Sequence, residues 1–122
     1  MNPQFIFSGI VQDGAKRGRD LGFPTANVAL QQQIPEGIYA AEVVVDDKTF
    51  KAATFIGAAE TFGEKDYKAE TYILDFDQNI YHKEITVKLY KKLRGSIAYT
   101  TKEALIEQME KDVQETREFF TS

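Results

Sequence analysis

The chain has 122 residues, 43% of them hydrophobic, with no cysteine, one histidine and a formal net charge of −4 at pH 7; its length suits a single domain spanning residues 1–122 with its own core. This composition excludes disulfides, a histidine-based triad and a structural zinc site, and the acidic balance disfavours a nucleic-acid partner, which a dominant basic surface would attract. No run approaches the roughly 20 apolar residues of a membrane span and the N-terminus lacks the pattern of a secretion signal, so a cytoplasmic protein with no membrane partner is expected.

Residues 5–11 are apolar and β-rich and read as a strand, whereas residues 12–19 hold two glycines and four charges and read as a loop. From Gly37 the run 38–45 is strand-like, Asp46-Asp47 is a natural turn, and residues 49–56 return as the second arm of a hairpin. A third run covers 69–76, and the polar turn Asp77-Gln78-Asn79 follows it. Beyond the turn, Ile85, Val87 and Leu89 alternate with Glu84, Thr86 and Lys88, the mark of a strand with one wet face. The period then changes. Leu105, Met109 and Val113 recur every four residues, Ile106 widens the stripe, and Thr100 with Glu103 makes a capping box. One amphipathic helix over residues 101–119 is expected, with the charges of residues 107–118 on its solvated side. The fold class is mostly β: five or six short strands and a C-terminal helix suggest a small closed antiparallel barrel, the helix covering a face or an open end.

The segment most suited to chemistry runs from Gly14 to Asn27. Gly14, Gly18 and Gly22 allow tight turns and close backbone approach, and Lys16, Arg17 and Arg19 suit phosphate oxygens. No Gly-Lys-Ser/Thr closes a Walker loop, and a plain basic surface loop is the alternative. Pro24 fixes the exit of the loop. In an extended chain Thr25 and Asn27 then share a face and offer two hard neutral oxygens of the kind Mg²⁺ accepts, or they bond local backbone in a turn. Glu70 shares strand parity with Tyr72, Leu74 and Phe76, the more apolar face of its run. That parity directs its carboxylate toward the barrel interior as a candidate base; the alternative is a strand-end glutamate in water. Tyr39, Tyr72, Tyr90 and Tyr99 are candidates for stacking on a flat ligand, and His82 reads as a surface residue beside a turn.

The series Gly9-Ile10-Val11, Gly14, Gly18-Arg19 and Leu21-Gly22-Phe23-Pro24-Thr25-Ala26-Asn27-Val28 resembles the signature of riboflavin kinase domains. The similarity continues through Gly37-Ile38-Tyr39-Ala40, Ile56-Gly57, Thr61-Phe62-Gly63, residues 70–76, Leu93-Arg94 and the helix. The resemblance implies a six-stranded antiparallel barrel that uses ATP with Mg²⁺ to phosphorylate the ribityl 5′-hydroxyl of riboflavin, giving FMN and ADP. Carried over by position, it places Gly14, Lys16, Gly18, Arg19, Gly22 and Pro24 around the nucleotide phosphates together with Thr25 and Asn27. The same carry-over makes Thr25 and Asn27 the metal pair, Glu70 the base, and Leu93, Arg94 and Tyr99 flavin contacts. Bacterial members are commonly the C-terminal half of a bifunctional enzyme, so an FMN adenylyltransferase domain is the partner expected in a longer natural chain. Some positions depart from the family pattern: Phe55 stands where a polar residue is usual, Glu60 where proline is, and His82 where glycine is. A non-catalytic flavin- or nucleotide-binding barrel is the competing reading, and the joint presence of Thr25, Asn27 and Glu70 argues for the enzyme.

Overall fold

The computed structural model describes residues 2–12, 25–57, 68–76, 78–95 and 101–121. In chain order its elements are β1 (Phe5–Ile10), β2 (Ala26–Ala29), β3 (Gly37–Val45), β4 (Lys48–Gly57), β5 (Lys68–Ile73), β6 (Glu84–Arg94) and the helix α1 (Lys102–Thr121). All strands join one antiparallel sheet in the order β1-β6-β3-β4-β5-β2. The sheet curls until its two end strands meet, giving a nearly closed six-stranded barrel. At that seam β1 and β2 come so close that a Cβ on Gly9 would stand 2.5 Å from Val28 Cγ1. The backbone N–H of Gln12 donates to the Asn27 carbonyl at 2.8 Å and bridges the gap.

Period two decides which side chains fill the barrel. Ala26 and Val28, Tyr39, Ala41, Val43 and Val45, Ala52 and Ile56, Ala69 and Ile73, and Ile85, Val87 and Leu89 are all buried in one cluster. Thr54 and Thr71 sit on the same parity and are fully buried; their hydroxyls bond each other at 3.0 Å, which satisfies two polar groups that the interior would otherwise penalise. The β3–β4 hairpin turns at Asp46 and Asp47, whose φ values of 50° and 67° are the left-handed pair that matches strand twist.

Several expectations need correcting. β5 ends at Ile73 rather than 76, because Asp75 adopts φ 57° and its carboxylate is held by both Arg117 amino groups at 3.1 Å. The helix cap is Thr101, whose hydroxyl accepts the Ala104 N–H at 3.1 Å; Thr100 lies outside the described residues. The turn expected at residues 77–79 lies instead at Tyr81 and His82, where His82 is exposed, as expected, with φ 68°; Asp77 lies outside the described residues. Tyr39 is a core residue, 1% exposed, donating its hydroxyl to the Pro35 carbonyl at 2.7 Å, and burial pushes its pKa up. Tyr90 donates to Glu42 Oε1 at 2.6 Å and packs against Phe119 and Phe120. Tyr39 is thus a core residue rather than a stacking surface.

The helix crosses the outer face of β3 and β4. Its apolar stripe Leu105, Ile106, Met109 and Val113 is only half-buried, and the most buried positions are Asp112 and Thr116, at 4% and 0% exposure. This corrects the placing of Asp112 on the solvated side. Its carboxylate accepts Arg94 Nε and Nη2, each at 2.8 Å, and Gln108 Nε2 at 3.0 Å, while Thr116 Oγ1 donates to the Asp112 carbonyl at 2.8 Å. This cluster fixes the middle of α1 to the end of β6, and the contact of Phe119 and Phe120 with Tyr90 fixes its last turn. The first half of α1 therefore runs onward past the Arg94 end of the sheet.

Candidate active site

Register builds the site. Asn27 stands directly opposite Glu70, Glu70 opposite Phe55, Phe55 opposite Ile38, and Ile38 opposite Arg94. Opposed residues on neighbouring strands project to the same face, so these five side chains form one row across five strands, about 5 Å apart from strand to strand. The row lies on the outer face, since Ala69, Thr71 and Ile73 occupy the interior parity of β5. The expectation that Glu70 points into the barrel is thus overturned. The reason lies in size: small Ala69 and hydrogen-bonded Thr71 fit the narrow interior, and bulky Tyr72 is left outside with Glu70.

Asn27 is 5% exposed, and among the described residues its side-chain oxygen Oδ1 has no hydrogen-bond partner. A buried carbonyl oxygen left in that state costs about 1–3 kcal/mol, so the position favours a donor or a cation. Glu70, half-buried one strand away, sets a carboxylate beside it. Together they put a neutral oxygen ligand and a base on adjacent strands.

A cleft of about 450 Å³ opens near the barrel seam; Ala26, Thr71 and Ile73, all of interior parity, line it, so it faces the barrel side of β2 and β5, whereas the Asn27 row lies on the outer face. Val11, Thr25, Ala26, Ile73, Phe76, Ile80 and Tyr81 are among its lining residues. Its position follows from local chain geometry: Val11 N–H donates to the Lys83 carbonyl and His82 N–H to the Val11 carbonyl, both at 2.9 Å, so the turn around residues 80–83 hooks onto the end of β1. The cleft is mainly apolar, with Thr25, Thr71, Gln78 and Asn79 as its polar lining, and Thr25 is two residues before Asn27.

Of the expected site residues, Asn27 and Glu70 stand opposite each other on β2 and β5, and Thr25, just before β2, lines the cleft. Leu93 and Arg94 lie across the sheet at the end of β6, both half-buried. Arg94 is engaged by Asp112 and also donates from Nη1 to the Gly95 carbonyl at 3.0 Å. Gly14, Lys16, Gly18, Arg19, Gly22, Pro24 and Tyr99 lie outside the described residues. Sequence reasoning missed Asp112, although Gln108, Asp112 and Thr116 recur at the same four-residue interval as the apolar stripe. It also missed the cleft residues Phe76, Ile80 and Tyr81, which no local pattern marks.

The sequence model of the family described as Flavokinase: Riboflavin kinase matches residues 1–120. The bifunctional riboflavin kinase/FMN adenylyltransferase of Listeria monocytogenes is 43% identical over 122 residues, covering 95% of this chain and 38% of the relative. The trifunctional protein RibF/MnmA of Mycoplasmoides gallisepticum is 41% identical over 119 residues, covering 95% of this chain and 18% of the relative. The chain thus spans well under half the length of these relatives. Among solved structures, one described as a macrolide-efflux protein from Streptococcus pneumoniae superposes with a TM-score of 0.84 at 30% identity, covering 94% of this chain and 38% of that one. Riboflavin kinase from Trypanosoma brucei superposes with a TM-score of 0.70 at 21% identity, covering 100% of this chain and 82% of that one. With a barrel of that architecture, the site row on its outer face and a family match from end to end, the chain belongs to the riboflavin kinase family.

Proposed function

We propose that this domain transfers the terminal phosphoryl group of ATP to the ribityl 5′-hydroxyl of riboflavin, releasing FMN and ADP. The observation that carries the reading is the direct opposition of Asn27, with its unpartnered buried oxygen, and the Glu70 carboxylate on one face of the sheet. The seam cleft takes the nucleotide base, with Phe76, Ile80 and Tyr81 against its flat faces. Thr25 and Asn27 then face the polyphosphate, joined by the glycine-rich segment that contains Gly14, Lys16, Gly18, Arg19, Gly22 and Pro24. Riboflavin lies on the other side of Glu70, along Phe55 and Ile38 toward Leu93, Arg94 and Tyr99, beneath the half-buried Leu105, Ile106 and Met109 of α1.

This arrangement puts the base between donor and acceptor. Glu70 accepts the proton of the 5′-hydroxyl as that oxygen bonds to the γ-phosphorus and the bond to the bridging oxygen of ADP breaks. Phosphoryl transfer asks little covalent help from a protein, so the chain's task is to hold the two substrates in line and keep water out. The orphaned Asn27 oxygen and the Thr25 hydroxyl fit Mg²⁺, which among oxygen ligands accepts neutral ones beside phosphates. When bound there, the ion would neutralise charge on the phosphate oxygens. In a longer natural chain an FMN adenylyltransferase domain, as in the bifunctional relatives, would consume the FMN made here.

The test is chromatographic detection of FMN and ADP from riboflavin, ATP and Mg²⁺, with Glu70→Gln beside the wild type. Glu70→Gln is expected to fold normally and to lower kcat by about 10²- to 10⁴-fold with little change in KM for ATP. Wild-type turnover in that variant would overturn the role of Glu70, and a wild-type domain that makes no FMN would overturn the reading itself.

A further inference from the structure

We infer that Phe55 is a specificity-determining residue of the acceptor side, its ring forming the wall against which the flat tricyclic part of riboflavin lies. The inference rests on the reading of the row as the kinase site. Phe55 is directly opposite Glu70 on one side and Ile38 on the other. It is half-buried and faces outward with them.

Its ring has a defined seat. A Cβ built on Gly57 would stand 2.9 Å from Phe55 Cζ and 3.4 Å from Cε2, so the side chain folds along its own strand and its far edge occupies the space a side chain at 57 would need. The same point is 3.2 Å from Glu36 Oε1, which bounds the seat on its other side. Gly57 has φ 156°, so a substitution there would also meet backbone strain. The ring is therefore placed by the glycine two residues on.

What the ring can recognise follows from its chemistry and its neighbours. It has no hydrogen-bonding group for phosphate or ribose, and it lies on the outer face two strands away from β2, whereas the cleft read as the nucleotide site is lined by the interior-parity residues Ala26, Thr71 and Ile73 and not by Phe55. A benzyl ring offers a face and an edge to another aromatic system and excludes water from the carboxylate next to it. The acceptor is the substrate whose aromatic part this wall can meet. A polar residue at this position would leave the carboxylate wetter and the wall absent, so the identity of residue 55 sets how strongly this chain discriminates for a flat acceptor.

The experiment measures the Kd of riboflavin by its fluorescence without nucleotide, together with KM for riboflavin and for ATP. The variants are Phe55→Leu, which keeps apolar bulk and removes the aromatic face, and Gly57→Ala, which keeps the ring and displaces it. Both are expected to weaken riboflavin by about tenfold in Kd and KM while leaving KM for ATP unchanged. Thermal unfolding of Phe55→Leu close to the wild type shows that the loss is not one of folding. Unchanged riboflavin affinity in Phe55→Leu, or equal losses for riboflavin and ATP, overturns the inference while leaving a wild type that makes FMN intact. A wild type that neither binds nor phosphorylates riboflavin defeats the functional reading as well.

Discussion

Replacing Asp112 by asparagine tests how the helix is held. The Asp112 carboxylate accepts two charge-assisted bonds from Arg94 at 2.8 Å, with side-chain exposures of only 6% for Asp112 and 19% for Arg94. In the Asp112→Asn variant one oxygen becomes an N–H₂ group facing the donors of the guanidinium, and the Asp112 charge that Arg94 met is removed. Removing one partner of a buried pair costs about 3–5 kcal/mol, and the partial access of water to Arg94 lowers the expected loss to about 2–3 kcal/mol. For a chain of this size each kcal/mol moves Tm by roughly 3–5 °C, so Tm should fall by about 6–15 °C. Urea unfolding at constant m, followed by far-UV circular dichroism, reads the same difference independently. High salt should not abolish the loss, because a pair this shielded is poorly screened. The double variant Arg94→Met/Asp112→Leu should recover most of the stability, since an apolar pair removes both desolvated charges. A loss below about 0.5 kcal/mol for Asp112→Asn would refute the reasoning, because it would give this buried pair the weight of an exposed one.

Two further perturbations follow from the geometry. The hydrogen bond to Glu42, then burial, then the charge of Glu42 push Tyr90 up to about 12. Its neutral form is favoured in the folded state, so the stabilisation is complete below pH 10 and is lost as pH rises from 10 to 12; Tm measured over that range should fall less steeply in Tyr90→Phe. Gly9→Ala drives a methyl into Val28 Cγ1 at 2.5 Å, and Val28 is buried and stiff at χ1. Unfolding should become easier by about 1–3 kcal/mol, with recovery in Gly9→Ala/Val28→Ala, and an unchanged urea midpoint in the single variant would contradict the close approach at the seam.

The strands were legible where one face is apolar and the other polar, as in residues 85–89, and the hairpin turn was legible from Asp46-Asp47. The inside and outside of β5 were not. Parity separates Glu70 and Tyr72 from Ala69, Thr71 and Ile73, but hydrophobicity ranks the wrong set first, because the barrel interior selects for small volume and internally bonded hydroxyls. The helix period was plain, whereas the Asp112 anchor depends on Arg94, 18 residues earlier. Thr25, Asn27 and Glu70 were singled out from sequence, yet the direct opposition of Asn27 and Glu70 across β2 and β5 is a matter of register, which a motif does not contain. Phe55 stood out as a departure, and only its place beside Glu70 and over Gly57 gives that departure a physical meaning.

The seam between β1 and β2 is also a mechanical fault line. Around the rest of the barrel each strand is zipped to its neighbours by a ladder, whereas here, among the described residues, the bridge from Gln12 to Asn27 joins the two ends next to the seam cleft. A ligand in the cleft touches Val11 on one lip and Ala26 on the other, and so acts as the missing rung. Occupancy is thereby converted into hoop strength, and the amide of Gln12 should exchange with solvent more slowly as the cleft fills.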